Sequence, residues 1–283
     1  MTSPLLNLAA AAARWLPAPL KRALYRLGSA SRGLRAALNR SAPSGLSQVQ
    51  VAAGGLAGMQ LLLDLQQEKD YWLGTYEMEL QQAIADWTRP GMIAYDLGAN
   101  IGYISLLLAR AVAPTGQVFS FEALPGNQDR LIKNLKLNPG MKVELISKAV
   151  TDKKGKAIFL VHASGGMGKL QGSLGREEEY EQTIQTEGIP LDEFVYAEKH
   201  PAPDLIKMDI EGGEVLALRG MRRVLQEARP LILIELHGHE AAEIAWEILS
   251  NAGYKLSHMR KGYPGIADIK NLGKKSYVLA RPS

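Results

Sequence analysis

From Ile93 onward the chain repeats one unit, a short apolar run followed by a stretch with helical spacing. The runs predict strands at Ile93–Asp96, Val118–Glu122, Val143–Lys148, Leu205–Asp209, Leu231–Glu235, Lys255–His258 and Tyr277–Ala280. Helices are predicted near 101–112, 125–137, 213–227 and 239–252. The central runs are apolar at consecutive positions instead of alternating, so both faces of each strand must be covered. A parallel sheet sandwiched by helices does this, and the predicted class is α/β with a doubly wound, seven-stranded sheet. An insertion separates the third and fourth strands. It is expected to hold a strand at Ala157–His162, a loop at Ser164–Gly175, an acidic run at Glu177–Glu181 and a short strand at Thr183–Glu187.

The segment before this domain has a different character. No acidic residue precedes Asp64, while seven Lys and Arg residues do, so the net charge of +4 belongs to the N-terminus and the rest is mildly acidic. That balance gives no support to a nucleic-acid-binding face on the main domain. Residues 4–16 are apolar but too short to span a bilayer, and Arg14 interrupts them. Leu20, Leu24, Leu27, Leu34 and Leu38 fall within about 80° of arc on a helix, with the cations outside it. Two readings stay open: a helix docked on the protein, or a peripheral membrane contact through residues 20–38 of a cytoplasmic protein. An Arg-rich, acid-poor start also resembles an organellar transit peptide. A hairpin is expected after the small-residue stretch 41–58, with Met59–Leu65 as its second strand, and then a helix at Glu77–Trp87. The expected division is 1–50, a basic amphipathic segment; 51–90, hairpin and helix; and 91–283, the α/β domain. With no cysteine, disulfides, thiolate metal sites and cysteine nucleophiles are excluded.

The sharpest motif is Tyr95-Asp96-Leu97-Gly98-Ala99-Asn100-Ile101-Gly102, where a buried strand turns straight into an apolar helix. Gly98 and Gly102 let the backbone turn tightly and approach a ligand. A dinucleotide turn would place glycine where Asp96 stands, and a carboxylate there would repel a pyrophosphate. It would suit the cationic amino group of S-adenosylmethionine instead. Glu122 closes the next strand, where an acid can accept both ribose hydroxyls; the loop Lys148-Ala149-Val150 after the third strand would border the adenine, and Ala123 follows Glu122. The cofactor-binding set is therefore Asp96, Gly98, Asn100, Gly102, Glu122, Ala123 and Ala149.

At this point the chain resembles the FkbM-type methyltransferases. The matching segments are Tyr95–Ser105, Phe121–Pro125, Leu205–Glu214 and Pro230–His237, in order and with matching spacing, within a similarity covering roughly residues 71–281. The stretch Lys207-Met208-Asp209-Ile210-Glu211-Gly212-Gly213-Glu214 is the specific part. The resemblance implies a Rossmann-like methyltransferase sheet, S-adenosylmethionine as cofactor, and O-methylation of a small-molecule or glycan acceptor such as a sugar, glycolipid or polyketide-type product. The alternative is a non-catalytic, membrane-associated module that binds the cofactor without turnover.

The transfer chemistry should lie beyond the carboxyl ends of the fourth and fifth strands. There the sequence places Asp209 and Glu211, then Glu235 and His237, the last two on one side of an extended segment. Neutral His237 is the expected base, worth roughly 10²–10⁴-fold, with Asp209 and Glu211 shaping the pocket. Alternatively His237 caps the helix at 239, Asp209 only holds the loop, and Glu122 caps the helix at 125. Asp209, Glu235 and His237 could also hold Mg²⁺, but the Asp-Asn pair of catechol-type enzymes is missing, so no metal is assigned.

Overall fold

The computed structural model describes residues 4–15, 40–162, 166–174, 180–273 and 275–283. They fall into two units, residues 1–81 with 133–139, and residues 82–132 with 140–283. In the first unit Pro4–Trp15 is a helix that buries Leu6 and Ala13. A hairpin is present, β1 (Leu46–Gln50) antiparallel to β2 (Gln60–Asp64), but its first strand lies inside the small-residue stretch 41–58, where a linker was expected. Side-chain amides satisfy the backbone of β2. Leu62 N–H donates to Asn134 Oδ1 at 2.7 Å, Gln60 N–H donates to Asn138 Oδ1 at 3.0 Å, and Asn138 Nδ2 donates to the Gln60 carbonyl at 2.7 Å. An open edge of N–H and C=O groups is thereby closed. The amphipathic helix expected over 20–38 lies outside the described residues. Among the described residues no helix is long and apolar enough to cross a membrane.

The second unit carries β3 (Ile93–Leu97), β4 (Gln117–Phe121), β5 (Val143–Ile146), β6 (Ala149–Val150), β7 (Gly155–His162), β8 (Gly168–Leu170), β9 (Tyr180–Ile189), β10 (Leu205–Met208), β11 (Leu231–His237), β12 (Tyr254–His258) and β13 (Lys275–Pro282). Seven of them form one sheet in the order β12-β13-β11-β10-β3-β4-β5. The five strands from β11 to β5 run parallel, and β13 is antiparallel to both its neighbours. Every predicted central strand is present. The fifth reaches His237 because β13 pairs with it all the way to His237↔Lys275.

From β3 the chain moves outward to β4 and β5, then returns to the other side of β3 as β10. This reversal leaves a crevice past the carboxyl ends of β3 and β10, where α/β sheets bind ligands. The sheet is held by buried aromatic rings: Tyr95, Phe119, Phe121 and Phe194 meet edge-on or tilted, with centroids 5.0–5.8 Å apart.

Two expectations need correction. The helix expected over 213–227 is a regular helix only at Glu214–Arg219, followed by a wider helical turn at Val224–Ala228. Gly220 between them passes so close to the Thr151 carbonyl that a Cβ there would collide with it. The insertion is more ordered than a loop between two strands. It forms a second sheet, β6-β9-β7-β8, and β8 falls inside the expected loop because Leu170 pairs with Phe159.

Candidate functional site: a glycine turn beside a buried histidine among carboxylates

The turn after β3 is built around one carboxylate. Gly98 and Asn100 both adopt positive φ, 81° and 49°, which glycine and asparagine tolerate best. A Cβ at Gly98 would strike the Asp209 carbonyl, so the two loops at the switch point touch through a glycine. Glu122 Oε2 accepts Asn100 N–H at 2.7 Å and its Oε1 accepts Leu124 N–H at 2.8 Å. The side chain thus serves the start of the helix at Pro125 and braces the turn at the same time. Burial pushes its carboxyl pKa above the ordinary range, against the lowering pull of the Leu124 and Asn100 amides, Asn127 and Lys207.

Asp96 is placed differently from expectation. It is fully buried, its Oδ2 accepting Ser105 Oγ–H at 2.7 Å and its Oδ1 lying 3.2 Å from Lys207 Nζ. Lys207 also donates to the Gly98 carbonyl at 3.0 Å. Asp96 is therefore committed to a buried ion pair that holds the turn, and direct contact with a ligand amino group is not open to it. Ala123 and Ala149, both expected to bind the cofactor, share one apolar cluster with Leu170. Leu170 comes from β8, so the insertion packs in one cluster with both alanines.

The four chemistry-bearing residues expected beyond β10 and β11 do converge. His237, 1% exposed, has its Nε2 3.9 Å from Asp209 Oδ1, 3.5 Å from Glu211 Oε2 and 2.9 Å from Glu235 Oε1. Its Nδ1 is 3.0 Å from Glu214 Oε1. Glu214 is itself oriented by Gly212 N–H at 3.1 Å and Ile210 N–H at 3.3 Å, so this glutamate shapes the loop that Asp209 was expected to hold. Glu211 reaches the cluster from a left-handed backbone, φ 51°. His237 is not a helix cap: Gly238 precedes the helix His239–Asn251, and no side chain caps it.

Electrostatics overturn the neutral-imidazole expectation. Burial alone would lower the His237 pKa, but Glu214, Glu235 and Asp209 outweigh it and push it up to about 10. Burial likewise opposes ionisation of Glu235, yet His237 and Lys275 hold it down at about 2. At neutral pH the ring already carries the proton that a base would need to accept. Asp209 and Glu211, with side chains 19% and 32% exposed, are the carboxylates of the cluster that solvent can reach.

Three members were not singled out from sequence. Lys207 could have been, since a lysine inside Leu205-Ile206-Lys207-Met208 demands a buried partner. Glu214 and Lys275 meet the site only through the fold, from 23 and 38 residues away from His237.

The Methyltransferase FkbM domain family matches residues 96–256, more than half of the chain. A hexuronic acid methyltransferase, AglP, from Haloferax volcanii is 29% identical over 162 residues, 56% of this chain and 62% of that protein. The chain thus spans less than two thirds of that relative's length. A methyltransferase FkbM from Methylobacillus flagellatus superposes with a TM-score of 0.46 at 18% identity, covering 77% of this chain and 54% of the other. An S-adenosylmethionine-dependent O-methyltransferase from Thermotoga maritima gives 0.41 at 13%, covering 76% and 66%. With the family pattern running from the Asp96 turn through the Glu214 and His237 segments to β12, the chain belongs to the FkbM methyltransferase family.

Proposed function

We propose that this protein is an S-adenosylmethionine-dependent O-methyltransferase whose acceptor is a sugar hydroxyl. The observation that carries the reading is the Glu122 carboxylate, fixed by two amides of a glycine turn that itself packs on Asp209. Each carboxylate oxygen has a second lone pair beyond the amide it accepts, which suits the two hydroxyls of a ribose. Gly98 and Gly102 let the turn pack on Asp209 and Leu131 beside that carboxylate, and an acid held this way fits the ribose of this cofactor. When bound, it supplies an electrophilic methyl on a sulfonium.

The protein's part is alignment and proton management. With that cofactor bound, Asp209 would hold the acceptor hydroxyl in line and take its proton. Protonated His237 and Lys275 keep the surrounding carboxylates in place. Holding the hydroxyl in line supplies much of the rate. The relative named for hexuronic acid supports a sugar acid as acceptor.

The test is incubation with methyl-labelled S-adenosylmethionine and a panel of free and nucleotide-linked uronic acids and neutral hexoses, read by mass spectrometry. An O-methylated sugar is expected. Tight cofactor binding with no methylated sugar across the panel would favour the non-catalytic module.

A further inference from the structure

We propose that Asp209, Glu211 and His237 form a divalent-cation site, although the sequence assigned no metal. One ligand atom from each lies within 4.8 Å of the others, two carboxylate oxygens and a ring nitrogen. An acidic pocket alone would not justify this, but the histidine does. Its Nε2 is buried, has no aligned hydrogen bond, and faces Asp209 and Glu211 at 3.9 and 3.5 Å. Even the 2.9 Å approach to Glu235 Oε1 is not geometrically a hydrogen bond.

The other ring nitrogen explains why Nε2 faces that way. Nδ1 is tied to Glu214, both side chains fully shielded from solvent, and Glu214 is tied to two backbone amides. A carboxylate–imidazole pair with the far nitrogen presented to further carboxylates is the arrangement that orients a metal-ligating histidine. Glu211 enters from a left-handed backbone, a conformation a non-glycine residue holds only where its surroundings impose it.

The formal charges agree in sign. Asp209, Glu211, Glu214 and Glu235 bring four carboxylates and Lys275 one ammonium, so with a ring nitrogen given to the ion three negative charges remain, and a dication offsets two of them. That offset would also let an anionic acceptor approach carboxylates that otherwise repel it. One imidazole with carboxylates suits Mn²⁺, Co²⁺ or Zn²⁺ better than Ca²⁺, which prefers all-oxygen shells. The cation site shares Asp209 with the methyl-transfer reading, but it can be measured without donor or acceptor, so the two can fail separately.

The experiment uses the full chain, stripped with chelator and titrated with Mn²⁺ alone, followed by calorimetry and by loss of the free-ion electron paramagnetic resonance signal. One site per chain is expected. Glu211→Gln and Asp209→Asn, at partly exposed positions, should each weaken binding at least about tenfold while leaving the melting temperature of the stripped protein unchanged. Glu214→Gln should weaken it about 10–100-fold by loosening the ring. Absence of saturable Mn²⁺ binding in the native chain, or equal binding in Glu211→Gln and Asp209→Asn, would overturn the proposal and leave His237 as a closed ion-pair hub.

Discussion

Lys207 and Asp96 are direct register partners on the adjacent parallel strands β10 and β3, and their side chains form an ion pair of 3.2 Å almost wholly out of water. Across that pair the turn that follows β3 is fixed to β10, because Lys207 also holds the Gly98 carbonyl. Removing the lysine leaves a carboxylate with nowhere to send its charge. Lys207→Met should destabilise the protein by about 3–5 kcal/mol in urea unfolding. The double variant Lys207→Met with Asp96→Asn should recover a good part of that loss, since the stranded charge goes too. Equal stability of the single and double variants would show that the pair carries no coupling.

Affinity for S-adenosylmethionine or its demethylated product should rise with pH through the raised pKa of Glu122. Burial favours the protonated acid in the free protein, whereas ribose hydroxyls donate to the ionised form. The sign follows: below the raised pKa a proton must leave before binding, and above it none must. Glu122→Gln should flatten the pH dependence and weaken binding by about 1.5–3 kcal/mol, as when a charged acceptor is lost. Calorimetry across pH 4–8 decides; a flat native profile contradicts the ribose role.

Glycine at 98 answers to geometry more than to flexibility. Gly98→Ala meets both a positive φ of 81° and the Asp209 carbonyl, and should cost at least about 2 kcal/mol. Gly126 has ordinary φ and nothing within 4 Å of a would-be Cβ. Gly126→Ala, within the helix Pro125–Lys136, should stabilise by about 0.4–1 kcal/mol. Thermal denaturation of the two variants side by side checks the contrast.

Asp209→Asn should lower kcat by ~10²–10⁴-fold with little change in cofactor affinity, as for loss of a proton acceptor. The amide keeps size and hydrogen bonding but cannot take a proton. A near-normal kcat in single-turnover measurements would move the proton acceptor elsewhere.

The strands and the glycine turn were legible because each is written in consecutive residues. The run Ile93–Leu97 is apolar but for Asp96, and Gly98, Asn100 and Gly102 sit where positive φ or close approach needs them. What was not legible depends on register. Asp96 looks from sequence like a ligand-facing acid, and only the pairing Lys207↔Asp96 shows that its charge is spent internally. His237 looks like a base at its ordinary pKa, and only the arrival of Glu214, 23 residues earlier in the chain, shows that the ring is held protonated. Local pattern predicts where a side chain emerges; its charge state is set by partners that the fold brings from elsewhere.

The position of β13 dictates the order in which the site can be completed during synthesis. This strand lies between β12 and β11, so residues translated after both of those strands belong to the interior of the sheet. Until Lys275–Pro282 has left the ribosome, β11 offers an open edge from Ile232 to His237 to any other strand nearby. Over the same interval Glu235 lacks Lys275, its only oppositely charged contact besides His237 among the described residues. A nascent chain that has not yet delivered β13 therefore exposes the β11 edge beside a carboxylate that still lacks Lys275.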